Sequence, residues 1–212
     1  YRPRRLSTRE ADTPALETAG VSASRVDSLR YAEVAPGHFT VLDDARAQEL
    51  RAQGLKYAFS TVELPEHVLS ILKTGQLSST TRWSNGQLVA GMSSWPDMGT
   101  GGAQGVFARL VSEQADGMPW VGRKYKVLLK PEIMARLDVW GWAQDEYGRS
   151  WGLTERNFGS KLLEDVNKGS YHQYNEVVFP VGNGPQWIAG VVATNETDRK
   201  ILLNALAADG WT

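Results

Sequence analysis

Short apolar runs of strand length alternate irregularly with short helical stretches along this chain, and the connections between them are long. Asp43-Asp44 opens a helix over 45–53 that Gly54 ends. A strand over 55–59 closes on Ser60-Thr61, and a helix over 65–74 runs from Pro65 in its first turn to Gly75. Strands over 106–111 and 125–129 follow, then a short helix from Pro131 to near Leu137 and a helix around 157–166. A strand beginning near Glu176, another over 187–193 and a capped helix over 197–208 complete the chain. An extended stretch over 31–42 precedes them all. With no βαβ rhythm, this order predicts an α+β fold rather than a doubly wound sheet.

The first 30 residues read as a linker: Arg2, Arg4, Arg5 and Arg9 surround Pro3, and a Ser/Thr/Ala-rich tract follows. Residues 31–212 then form the domain. A formal net charge of −1 provides no global basic field for nucleic acid or membrane. No run approaches the ~18 apolar residues of a membrane-spanning helix. The absence of cysteine excludes disulfides, thiolate metal sites and cysteine nucleophiles. His38, His67 and His172 have no metal-ligand spacing, so no metal is expected. The chain opens on Tyr1 without a signal-peptide pattern, which leads us to expect a piece of a longer polypeptide.

Candidate chemistry concentrates in Tyr171-His172-Gln173-Tyr174-Asn175-Glu176-Val177-Val178-Phe179-Pro180. Strand alternation puts Tyr174, Glu176 and Val178 on one face and Asn175, Val177 and Phe179 on the other. A carboxylate among such neighbours either lines a cleft or reaches water at a sheet edge, and the residues alone leave both open. The glycine- and serine-rich segment 91–103 could bring backbone amides and the hydroxyls of Ser93 and Ser94 close to a ligand, or simply be a long surface loop. Arg109, inside an apolar strand, suits a carboxylate or a phosphate pair. Ser60-Thr61 could contact a ligand or cap the following helix. Trp83, Trp95, Trp140, Trp142 and Trp151 are packing residues or stacking platforms.

Together these pieces resemble an ADP-ribosyltransferase-like domain. The resemblance spans about residues 55–195 and rests on four features in order. They are a strand ending in small hydroxyl residues, the helix Val68-Leu69-Ser70-Ile71-Leu72-Lys73-Thr74-Gly75-Gln76-Leu77, the Asn175-Glu176-Val177-Val178-Phe179 strand, and the closing run Trp187-Ile188-Ala189-Gly190-Val191-Val192. It implies a split β-sheet core flanked by short helices and NAD as the substrate, with Glu176 catalytic. Ser60 and Thr61 would sit near the nicotinamide ribose. Ser93, Ser94, Gly101, Gly102 and Arg109 would hold diphosphate or ribose. Tyr171, His172 and Tyr174 would meet a macromolecular acceptor, protein or nucleic acid. A toxin or effector domain, secreted or delivered into a target cell within a larger protein, is the setting the resemblance suggests.

Two departures from the family's patterns matter. The first core strand, Tyr57-Ala58-Phe59-Ser60, lacks the histidine of one large branch. Tyr174 also stands where the arginine-modifying branch has a second acid, which argues against arginine as acceptor. The alternatives are an NAD glycohydrolase, a non-catalytic binding module of a larger assembly, and a sugar-cleaving domain that would need Asp97 or Glu155 as a second carboxylate.

Overall fold

The computed structural model describes Arg5 and residues 21–78, 105–115, 123–143, 157, 159–168 and 175–212. The fold begins ahead of the boundary expected at residue 30. Ala23–Ser28 forms a 3-10 turn, and Leu29 is fully buried. Arg25 reaches the buried Asp43 at 2.8 Å, and Arg5 bridges to Arg30. Burial and a paired charge hold this stretch where composition alone suggested a tether.

The extended stretch is a hairpin, β1 (Leu29–Ala35) and β2 (His38–Asp43), turned at Gly37 with φ 75°. Asp43 then caps α1 (Asp44–Ala52), its carboxylate accepting from the backbone N–H of Ala45 and Arg46. The same carboxylate accepts from the Ser28 hydroxyl at 2.7 Å, which ties the cap to the turn before β1. β3 (Leu55–Val62) leads into α2 (Pro65–Thr74). Ser60 and Thr61 do not cap that helix: Leu64 is its N-cap residue, without a side-chain bond, and Pro65 starts the first turn. β4 (Gln76–Leu77), β5 (Val106–Ser112) and β6 (Tyr125–Leu129) follow. The helix expected from Pro131 is a 3-10 turn, Pro131–Ala135. β7 (Trp140–Trp142), α3 (Gly159–Lys168), β8 (Glu176–Phe179), β9 (Gly182–Asn183), β10 (Ile188–Ala193) and α4 (Glu196–Ala208) complete the described chain. Trp187 belongs to a 3-10 turn ahead of β10, its indole N–H donating to the Glu33 carbonyl.

The central sheet has the order β10-β6-β3-β5-β8-β7, every recorded pair antiparallel. The fold is therefore α+β, as the element pattern predicted. One face of the sheet carries Ala58, Ala108, Leu110, Leu129, Val177 and Phe179, packed with Leu50 of α1, Leu162, Leu163 and Val166 of α3, and Ile133 and Met134. At the β6–β10 end, Val68 of α2 and Leu202 of α4 enclose Tyr125. Arg136, fully buried, donates to the Gly182 carbonyl and to Asn183 Oδ1, and its guanidinium lies 5.4 Å from the Phe179 ring. It thereby fixes the turn that follows β8.

The pairing of β3 with β5 stops partway. Its recorded partners run from Leu55↔Ser112 to Phe59↔Arg109. Ser60, Thr61 and Val62 pair with β6, and Val106, Phe107 and Ala108 pair with β8. The sheet thus opens into two halves along these residues.

Candidate functional site

A hollow of about 240 Å³ lies where β3 and β5 part, lined by Phe59, Ser60, Thr61, Phe107, Ala108, Arg109 and Glu176. Four of the residues singled out in the sequence, Ser60, Thr61, Arg109 and Glu176, are therefore brought to one place. Ser60 Oγ donates to the Phe107 carbonyl at 2.6 Å, a side-chain bond across the opening between the two strands.

Glu176 is the first residue of β8 and is half-buried. Its position is set by the preceding residue. Asn175 is fully buried; its Oδ1 accepts from Leu110 N–H at 2.7 Å and its Nδ2 donates to the Leu110 carbonyl at 3.0 Å. The amide thus closes two hydrogen bonds to β5 just before β8 begins. It pins the backbone from which the Glu176 carboxylate projects.

Cross-strand partners share a face. Trp142 stands opposite Glu176, and Trp140 and Phe107 stand opposite Val178. One step beyond the recorded pair Ala108↔Val177, the same register brings Arg109 level with Glu176. Arg109 is in turn opposite Phe59, and Thr61, two residues on, is opposite Lys126. This face therefore bears Glu176, Arg109, Phe59, Thr61 and Lys126 beside a cluster of Trp140, Trp142, Val178 and Phe107. The Lys126 ammonium sits 4.8 Å from the centre of the Phe59 ring, and burial pushes its pKa below lysine's ordinary value. Trp142 is only 3% exposed. Its indole N–H has no hydrogen-bond partner among the described residues.

Phe59, Phe107 and Lys126 are cleft-face residues that sequence reasoning did not select. The signal that finds them is register, which depends on which strands become neighbours. Ser93, Ser94, Gly101, Gly102, Tyr171, His172 and Tyr174 lie outside the described residues, as do Asp97 and Glu155. Among the described residues no group of three or more His, Asp or Glu side chains is arranged to hold a metal ion. None of their helices is long and apolar enough to cross a membrane.

The fold and cleft define an antiparallel α+β protein with a sheet opened between its two central strands and a carboxylate, an arginine and two hydroxyls around the opening. No protein-family model matches the chain, and no curated protein matches it in sequence.

Proposed function

We propose that the protein is an NAD-dependent ADP-ribosyltransferase that cleaves the nicotinamide–ribose bond and transfers ADP-ribose to a macromolecular acceptor. The observation that carries this reading is the convergence of Glu176 with Arg109, Ser60 and Thr61 at the opening of the sheet. The parting of β3 and β5 beyond Phe59 and the carboxylate at the start of β8 support the reading.

The chemistry suits a site with one acid. Nicotinamide in NAD is bound to ribose through a positively charged ring nitrogen, so it leaves with the bonding electron pair as a neutral molecule and needs no protonation. Positive charge then develops at C1′ and the ring oxygen of the ribose, as in glycoside cleavage. A carboxylate accepting from the 2′-hydroxyl stabilises that charge electrostatically and can take the proton that the acceptor loses on attacking C1′. In this reading Ser60 and Thr61 orient the ribose and Arg109 meets an anionic part of the dinucleotide. A second hollow of about 310 Å³ is lined in part by Val62, His67, Ser70, Gln76 and Val106, the next residues along β3 and β5 among them. With Tyr174 two residues before Glu176 in place of a second acid, the acceptor is a group other than arginine.

The test is release of nicotinamide from NAD by Glu176→Gln. The amide keeps the shape and hydrogen-bonding reach of the side chain but can neither carry the charge nor take the proton. Turnover should fall by about 10²–10⁴-fold, with thermal unfolding and NAD affinity close to those of the parent. Undiminished nicotinamide release from the folded variant would overturn the assignment.

A further inference from the structure

The two ends of the central sheet differ. At one end, β7 is met by Asn157, which bridges Gly141. At the other end, β10 has a recorded partner on one side only, β6. The Thr194 N–H donates to the Lys124 carbonyl at 2.8 Å, and the same register runs back along β10 through Val192↔Lys126. Hydrogen-bonded pairs alternate in an antiparallel ladder, so Val192 bonds β6 while the N–H and C=O groups of Val191 and Ala193 face outward. Neither residue has a hydrogen bond on that outer side among the described residues. Edge strands are normally blunted by charge, proline or a bulge. Ile188-Ala189-Gly190-Val191-Val192-Ala193 has no charge and no proline, and its bulge lies at its start, between Ile188 and Gly190.

An apolar hollow of about 440 Å³ lies along this edge, lined in part by Val191, Val192 and Ala193 and, from α4, by Leu203 and Leu206. A hollow on one face of a sheet would take every second strand residue; three consecutive ones place this hollow at the edge itself. Val192 is 43% exposed and Leu203 46%. Arg199 is the only charged residue among the described lining residues, and Glu196 holds it at 2.7 and 2.9 Å.

We propose that this edge is a dimer seam, at which β10 pairs antiparallel with β10 of a second copy and the Leu203–Leu206 faces of the two α4 helices close over it. Self-complementarity selects a second copy as the occupant. A two-fold axis beside Val191 sets the outward row against an identical row, so that each copy's N–H meets the other's C=O. The face carries no unbalanced charge, so its own copy brings no repulsion, and it offers nothing to a charged partner such as nucleic acid. The six residues of β10 and the thirteen of α4 are each about 20 Å long, so strand and helix span the face together. A face about 20 Å square is roughly half the ~800 Å² per partner of a standard interface, so the dimer is reversible and concentration-dependent. β6 separates the seam from β3, and the seam stands whether or not the cleft binds NAD.

Sedimentation equilibrium of the parent from about 1 µM to about 1 mM should show monomers converting reversibly to dimers. Val191→Pro removes an outward N–H and leaves the Val192 rung to β6, a position in which an edge strand tolerates proline. Leu203→Glu changes an exposed helix residue and would bury a charge in the seam. Each should weaken association by at least about 10-fold, and Leu203→Glu should unfold thermally close to the parent. The chain has no cysteine, so Val192→Cys supplies a single thiol. Oxidation with copper phenanthroline should join it across the seam in a covalent dimer that the parent does not form. A parent that stays monomeric over the whole range would overturn the proposal and leave the edge to an extended segment of another protein. A dimer that Leu203→Glu does not weaken and Val192→Cys does not cross-link would put the contact on another face and overturn it equally.

Discussion

Asn175 illustrates how a single side chain can place a functional group without touching a ligand. Its amide takes the role of a backbone rung, bonding both the N–H and the carbonyl of Leu110. Asn175→Ala leaves both of those buried groups unpaired, and the expected loss is about 2–6 kcal/mol, at about 1–3 kcal/mol for each orphaned group; urea unfolding measures it. Asn175→Asp is the sharper variant. One carboxyl oxygen can still accept from Leu110 N–H, but the other faces the Leu110 carbonyl and must carry a proton to bond it. The folded state therefore raises the pKa of that carboxyl. Its favourable contribution is complete below the ordinary aspartate value of about 3.9 and is lost as pH rises through the raised folded value. Stability relative to the parent should thus decline from acid toward neutral pH, and a pH-independent difference would show that the amide is not doubly bonded.

The connection from α2 to β4 and β9 shows how closely elements are threaded around the cleft. Gly75 ends α2 with φ 82°, and a Cβ there would lie 2.2 Å from the Asn183 carbonyl oxygen and 2.7 Å from Gly184 Cα. Gly210, after α4, has nearly the same conformation, φ 85°, with nothing within 4 Å of its would-be Cβ. Gly210→Ala should therefore cost only the left-handed backbone penalty, about 1–2 kcal/mol. Gly75→Ala adds overlap of the new Cβ with the backbone of Asn183 and Gly184 and should cost at least twice as much, read as the difference between the two variants in denaturant midpoint. Equal costs would mean that the β4–β9 ladder yields freely. β7 makes a related point: the three residues Trp140-Gly141-Trp142 form a strand because β8 offers them partners. Nothing in so short a run marks it as a strand in isolation.

At the scale of the whole molecule, the sheet works as two halves joined by the Leu55–Phe59 and Arg109–Ser112 pairing and parted beyond it. A ligand that fills the opening binds the folded chain and not the unfolded one. NAD at 100 times its dissociation constant should therefore stabilise the protein by about 2.7 kcal/mol. For a chain of this length that corresponds to a rise in Tm of roughly 5–10 °C, measurable by differential scanning fluorimetry. Glu176→Gln should retain the rise at the same NAD concentration. No rise in the parent would leave the cleft without its proposed ligand.

Local chemistry determined the elements whose ends are punctuated. The helix between Pro65 and Gly75 and the strand from Tyr125 to Leu129 match their expected limits, and Asp43 caps α1 ahead of the Gly54 stop. Proline, glycine and capping side chains act within a few residues, so sequence reports them directly. The mixed α+β character and the presence of a carboxylate on the threshold of an apolar strand were legible for the same reason. Only the tertiary structure decided that β3 and β5 part after Phe59, that Ser60 bonds across the opening instead of capping a helix, and that Lys126 and Trp142 share a face with Glu176. Those facts depend on which strands become neighbours and in what register. Pairing of that kind joins residues more than 50 positions apart, such as Ala108 with Val177, and no local pattern carries it.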